Sequence, residues 1–356
     1  MVRAMLDRLA KPTAPGSTAL RRVVIAFGGN ALIRRGQRGE WAEQRANVEL
    51  AARSIAALSR LVPEIVITHG NGPQVGFLAL QSEAAAPGVP ATPLDVLGAE
   101  SQGQIGYLLC QALSNTFAAS GEHRDIAVVL TQVVVEANDP AFSRPTKPVG
   151  PVYSQEEAQR LARERGWTVA RDNEHWRRVV PSPSPLRIVE AEVIRTLCDR
   201  GVLVIASGGG GVPVVEQDGH KLHGVEAVID KDLAAVVLAT SLKADGLILL
   251  TDVDGVYRDW GQPNARRLPT LTVAEADSLQ AAGSLPAGSM APKVRACAQF
   301  VRAGGKLAAI GALEDVAQVL AGRSGTTFVP NPGDPRAGRL DTVGSDERRR
   351  NPTASY

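Results

Sequence analysis

Four glycine-rich turns and three lysines have the types and spacing to do chemistry in this sequence. The turns are Phe27-Gly28-Gly29-Asn30-Ala31-Leu32, His69-Gly70-Asn71-Gly72-Pro73-Gln74, Ser207-Gly208-Gly209-Gly210-Gly211 and Thr251-Asp252-Val253-Asp254-Gly255-Val256-Tyr257. Glycine lets a backbone come close to a ligand and aim its N–H groups at anionic oxygens. Lys231 and Lys293 stand where helical patterns begin, with Asp230 placed as an N-cap and Pro292 suited to a first helical turn. A lysine there opposes the helix dipole unless an anion is bound too, so the pair points to a polyphosphate. Lys147 lies between Pro145 and Pro148, and proline stiffening would hold its cation at low entropic cost. Only seven of the 39 cationic residues are lysine. A lysine kept in so arginine-rich a chain tends to mark a place that wants a compact ammonium. The alternative at each position is a solvated surface lysine.

Several other chemistries do not fit. There is no Gly-x4-Gly-Lys-Ser/Thr run, and Gly70-x-Gly72 with Gly76 is one residue too long for a dinucleotide fingerprint. Asp252-x-Asp254-Gly255 lacks the Gly and Glu of a calcium loop. His220-x-x-His223 has no nearby third ligand and reads as surface histidines, so no protein-held metal site is expected. Three scattered cysteines, Cys110, Cys198 and Cys297, argue against a disulfide framework and for reduced core thiols in a cytoplasmic protein. A net charge of +2 requires no nucleic-acid partner. Met1–Arg22 has no apolar stretch of signal-peptide type, and no apolar run is long enough to span a bilayer.

The turns must be positioned by strands. Short apolar runs at 23–27, 65–67, 127–130, 202–205, 247–250 and 307–310 suit strands buried on both faces. Helical spacing fills the gaps: Val48, Ala51, Ala52, Ile55 and Leu58, then Ile105, Leu108, Leu109, Ala112 and Leu113, then Leu313, Val316, Ala317 and Leu320. This alternation predicts a mostly parallel sheet covered by helices, with the turns gathered at one edge. Residues 136–186 break the rhythm with proline, arginine and short polar segments around one helix near Glu156–Arg165, and read as an inserted subdomain. Residues 1–20 and 331–356 read as flexible tails around a domain of 21–330.

With these pieces in place the sequence resembles the carbamate kinases of the amino-acid-kinase superfamily, from about Arg22 to Val329. The resemblance rests on Gly28-Gly29-Asn30-Ala31, His69-Gly70-Asn71-Gly72-Pro73-Gln74-Val75-Gly76, Pro93-Leu94-Asp95, Ser101-Gln102-Gly103 and Thr131-Gln132-Val133. It continues through Asn138-Asp139-Pro140-Ala141-Phe142, Pro145-Thr146-Lys147-Pro148, Gly224 to Asp232, and Gly288-Ser289-Met290. It implies an α/β fold, a three-layer αβα sandwich with a mostly parallel open sheet and a protruding inserted subdomain (136–186) acting as a lid. The half before the lid would take the acceptor and 187–330 the nucleotide. The implied reaction is reversible phosphoryl transfer between ATP and carbamate, giving ADP and carbamoyl phosphate, with Mg²⁺. Gly28, Gly29, Asn30, Gly70, Asn71 and Gly72 would bind substrate and phosphate. Lys147 would contact the transferring phosphoryl group. Lys231, held by Asp232, would bridge the ATP phosphates, and Lys293 would bind the β- and γ-phosphates. Gly208, Gly209, Gly210, Asp252, Val253, Tyr257 and Met290 would line the nucleotide side. A homodimer, small-molecule partners only, a cytoplasmic location and a place in arginine metabolism complete what the resemblance implies.

The chain departs from the family at Asp172-Asn173-Glu174-His175-Trp176, where an Asp-Ala-Gly-Arg-Gly-like stretch is usual. That bears on lid closure and substrate choice. It keeps two alternatives in view: a kinase for another carboxylate or small phosphate, and a catalytically impaired nucleotide-binding homologue.

Overall fold

The computed structural model describes residues 20–28, 32–33, 36–37, 39–85, 88–172, 174–286 and 288–334. The strands are β1 (Arg22–Phe27), β2 (Glu64–His69), β3 (Ile126–Val129), β4 (Gln132–Val135), β5 (Lys147–Tyr153), β6 (Val169–Asp172), β7 (His175–Val180), β8 (Pro185–Ile188) and β9 (Leu203–Ala206). They continue with β10 (Val212–Gln217), β11 (Lys221–Gly224), β12 (Gly246–Thr251), β13 (Val256–Arg258), β14 (Arg266–Leu268), β15 (Thr270–Thr272), β16 (Leu307–Ala312) and β17 (Thr326–Val329). The α-helices are α1 (Trp41–Leu58), α2 (Gly72–Ala85), α3 (Leu94–Ala119), α4 (Gln155–Arg165), α5 (Ala191–Asp199), α6 (Lys231–Ser241), α7 (Val273–Ala281), α8 (Met290–Arg302) and α9 (Val316–Leu320).

Among the described residues the main sheet has eight strands in the order β15-β17-β16-β12-β1-β2-β9-β3. Every pairing is parallel except β16 with β17. Its central strands are apolar throughout because both faces are covered. Val24, Ala26, Val66, Leu247 and Leu249 face one core, packed with α6 and α8. Val23, Ile25, Phe27, Ile65, Ile67, Ile248 and Leu250 face the other, packed with α1 and α3. Burying each of the larger side chains among these contributes about 1.5–3 kcal/mol, which holds the strands under the turns in place. The apolar face of α3 (Ile105, Leu109, Leu113) is wholly core.

Strands β12, β1, β2 and β9 are neighbours and parallel, so the four glycine turns leave the same edge side by side. Within the 136–186 segment, β5, β7 and β6 form a three-stranded antiparallel sheet accompanied by α4. This small sheet sits on α2. A Cβ on Gly76 would overlap the Gly150 backbone, so the two chains pack main chain against main chain. Glu83 of α2 pairs with Arg165 and, at 3.2 Å, with Arg178. Both guanidinium groups stack on Trp167, 5.2 and 5.1 Å from its ring centre.

Candidate active site

Two carboxylates at the start of α6 organise three lysines from three parts of the chain. Asp230 is the N-cap: its Oδ1 accepts from the backbone N–H groups of Asp232 (2.9 Å) and Leu233 (3.3 Å). Its Oδ2 takes the Nζ of Lys147, at the start of β5, at 2.6 Å. Asp232 takes Lys231 Nζ on Oδ1 at 2.6 Å and Lys293 Nζ, from the first turn of α8, on Oδ2 at 3.1 Å. Three ammonium and two carboxylate groups leave one positive charge in excess.

The titration of these groups follows from burial and mutual charge. Burial raises the Asp232 and Asp230 carboxyls, but the lysine charges outweigh it and hold both below the usual range. Burial lowers Lys231, but Asp232 and Asp230 outweigh it and hold it above an ordinary lysine. For Lys293 burial prevails, reinforced by the Lys231 charge, and its ammonium is held below the ordinary value. An added anion would stabilise all of these cations.

The cluster opens into a cleft of about 620 Å³. One wall is made by Gly28, Gly70, Asn71 and Gly72, where the N-terminus of α2 faces the space. The Gly70 N–H donates to Phe27 O at 2.9 Å and ties the first turn to the second. Asn71 is held by donating to Ser101 Oγ at 2.8 Å. The other wall contains Asp252, Val253, Gly255, Tyr257, Trp260 and Met290. Tyr257 and Trp260 meet edge to face with ring centres 5.1 Å apart.

The structure brings Lys147, Lys231, Asp232, Lys293, Gly28, Gly70, Asn71, Gly72, Gly209, Asp252, Val253, Tyr257 and Met290 to one cleft. Gly208 and Gly210 are not on its wall. They lie behind it, where a Cβ on Gly208 would overlap the His69 ring and one on Gly210 the Ile229 carbonyl. The small size of Gly208 lets turn three pack against turn two, and that of Gly210 lets it pack against the Ile229 backbone just before Asp230. His69 is fully buried there, and burial pushes its imidazole down to about 4, so it is a neutral spacer. Gly29 and Asn30 lie outside the described residues. Among the described residues no group of three or more His, Cys, Asp or Glu is arranged to hold a metal. His220 is 89% exposed and rests on Glu216.

Sequence reasoning missed several residues. Arg177 lines the cleft and donates to Gly150 O at 2.6 Å and Asp172 Oδ2 at 3.3 Å. It immediately follows the unusual 172–176 stretch, and Asp172 and His175 pair across the β6–β7 hairpin. Trp260 follows the fourth turn and carried no motif of its own. Residues quoted only as family landmarks turn out to brace the site. Gln102 exchanges hydrogen bonds with the Thr131 backbone (3.0 and 3.1 Å), and Thr131 Oγ1 accepts from Ser207 N at 2.9 Å.

The Amino acid kinase family model matches residues 21–311. The carbamate kinase of Pyrococcus furiosus is 51% identical over 313 residues, covering 87% of this chain and 99% of that one. The chain belongs to the carbamate kinases of the amino acid kinase family. The Haemophilus influenzae carbamate kinase is 48% identical over 307 residues, covering 86% and 96%. The Giardia lamblia carbamate kinase structures bound to citric acid and to AMP-PNP superpose with TM-scores of 0.83 and 0.80. Both are 43% identical and cover 88% of this chain and 100% of their own.

Proposed function

We propose that this carbamate kinase family member transfers a phosphoryl group reversibly between ATP and carbamate, giving ADP and carbamoyl phosphate. The observation that carries the reading is the three-lysine, two-carboxylate cluster at the floor of a cleft walled by four glycine turns. A carbamate oxygen attacks the γ-phosphorus in line, the new P–O bond forms as the bond to the β-phosphate oxygen breaks, and ADP leaves. Positioning and charge stabilisation suffice for this, and no enzyme nucleophile is required. Lys231 bridges the ATP phosphates, Lys293 binds the β- and γ-oxygens, and Lys147 reaches the transferring group. Gly28, Gly29, Asn30, Gly70, Asn71 and Gly72 hold the acceptor side, while Asp252, Val253, Tyr257 and Met290, with Gly209 at the turn between, flank the nucleotide.

Mg²⁺ fits as a companion of the nucleotide. Asp230 and Asp232 are already taken by lysines, so the ion would be held mainly by the nucleotide and water rather than by these carboxylates, and would supply neutralising charge there. The 136–186 segment, docked on α2, serves as a lid that excludes water. A homodimer forms on the sheet edge: β3 is an outer strand, and Val128 (41%), Leu130 (51%) and Tyr107 (55%) are exposed around it. A cytoplasmic location and a role in arginine metabolism belong to the same reading; among the described residues no helix is long and apolar enough to cross a membrane.

Competition among acyl phosphates tests the substrate. With ADP, carbamoyl phosphate should give the highest kcat/KM, above acetyl phosphate and other carboxylate-derived donors. A better rate with one of those would transfer the reading to another carboxylate kinase.

A further inference from the structure

Asp230 does two things at once with one carboxylate. Oδ1 closes the first turn of α6 by accepting from Asp232 N and Leu233 N, at 2.9 and 3.3 Å. Oδ2 holds Lys147 Nζ at 2.6 Å, across 83 residues of chain. Lys147 belongs to the small sheet that rides on α2, and Asp230 belongs to the nucleotide half. Both line the cleft. The Asp230 side chain is only 15% exposed and Lys147 30%, so the ion pair is shielded from water on one side and open to the cleft on the other. A backbone bond from Val228 N to Pro181 O, 2.9 Å, ties the same two regions two residues before the cap.

We propose that Asp230 is a positioning residue for phosphoryl transfer: it fixes the Lys147 ammonium over the reaction centre and, through the cap, aligns Lys231 and Asp232 in the same turn. This rests on the reading in which Lys147 reaches the transferring phosphoryl group. A flexible four-carbon stem leaves an ammonium free to wander. A carboxylate anchored by two backbone N–H groups gives it one location, which a charge-assisted hydrogen bond maintains. Asp230 itself is an anion and offers the nucleotide phosphates no attraction of its own, while an asparagine in its place would keep the cap that aligns Lys231. Its removal therefore separates positioning from binding.

Asp230→Asn tests this, because asparagine caps a helix as well as aspartate but brings no charge to hold the ammonium. Asp230→Ser is the second variant, capping through its hydroxyl with no reach to Lys147. Turnover of ADP and carbamoyl phosphate, ADP affinity by calorimetry and thermal melting are measured for both, alone and combined with Lys147→Ala. Turnover should fall at least about tenfold, as misplacing a group by an ångström costs that or more. ADP should bind as tightly as in the parent or more tightly, because a negative charge has gone. In the Lys147→Ala background, Asp230→Asn should add no further loss. An unchanged kcat in Asp230→Asn, a parallel loss of ADP binding, or a full additional loss in the double variant would overturn the proposal. If Lys147→Ala by itself turns over like the parent, the assignment of Lys147 fails and the positioning role goes with it. If Lys147→Ala is slow while Asp230→Asn is not, the lysine assignment stands and only the positioning role is lost.

Discussion

The ammonium of Lys293 lies 3.1 Å from Oδ2 of Asp232, a carboxylate whose other oxygen already holds Lys231 at 2.6 Å. One buried anion thus sets the separation of two cations, and the proposed phosphate site is built on that separation. Lys231→Ala and Lys293→Ala should each lower kcat by about 10²-fold or more, the scale for losing one group that stabilises transition-state charge. Lys231→Arg should fail as well although its charge is kept, because a planar guanidinium cannot take the place of a compact ammonium beside Asp232. Steady-state rates with ADP and carbamoyl phosphate check all three.

Asp232→Asn should be costly to the fold as well as to the reaction. It leaves two lysines largely buried with no carboxylate between them, and breaking a buried pair on one side costs about 3–5 kcal/mol. Denaturant unfolding of the purified variant reads this directly. A midpoint equal to that of the parent would show that the cluster is not held together by Asp232.

Burial and the Lys231 charge hold Lys293 below the ordinary lysine value of 10.5, so its ammonium is lost earlier on the alkaline side than a surface lysine's. In the role proposed for Lys293, the charged form is the one that binds phosphate. Hence kcat/KM for the nucleotide, which reports the free enzyme, should fall as pH rises through a value below 10.5. Lys293→Arg stays charged and should lack that limb, whatever its absolute rate. On the acid side, Asp230 and Asp232 titrate below their unfolded value of about 3.9, so the stability they contribute is complete above that value. It drains away as pH falls through their folded values. Thermal melts from about pH 5 to 2 should therefore drop less steeply for Asp230→Asn than for the parent.

Much of this was legible beforehand, and the reasons are local. Doubly buried parallel strands are written as continuous apolar runs, so 23–27, 65–67, 202–205 and 247–250 predicted β1, β2, β9 and β12, whose parallel order brings their turns together. The helix starts at Lys231 and near Lys293 carried their own signals, and Asp230 caps as its position predicts. What stayed hidden depends on contacts between distant segments. No spacing rule pairs Asp230 with Lys147 or sends Arg177 to Gly150. Nor does the sequence show that Gly208 is needed beside the His69 ring and Gly210 beside the Ile229 carbonyl, because a glycine required by a neighbouring segment and one required by a phosphate read alike.

Gly76→Ala should separate docking from nucleotide binding. Its methyl group would enter the Gly150 backbone, which cannot yield as a flexible side chain would, and the small sheet carrying Lys147 would lift from α2. Turnover should fall at least about tenfold, since the chemistry depends on near-attack geometry, while ADP affinity changes little. Equal losses in both, measured by rate assay and calorimetry, would mean that this contact supports the whole cleft.

The most direct measurement is a coupled assay for ATP made by the purified chain from ADP and carbamoyl phosphate. The account predicts sustained ATP formation that depends on enzyme concentration and collapses in Lys231→Ala and Lys293→Ala. Binding of ADP with no ATP above the enzyme-free control would contradict it.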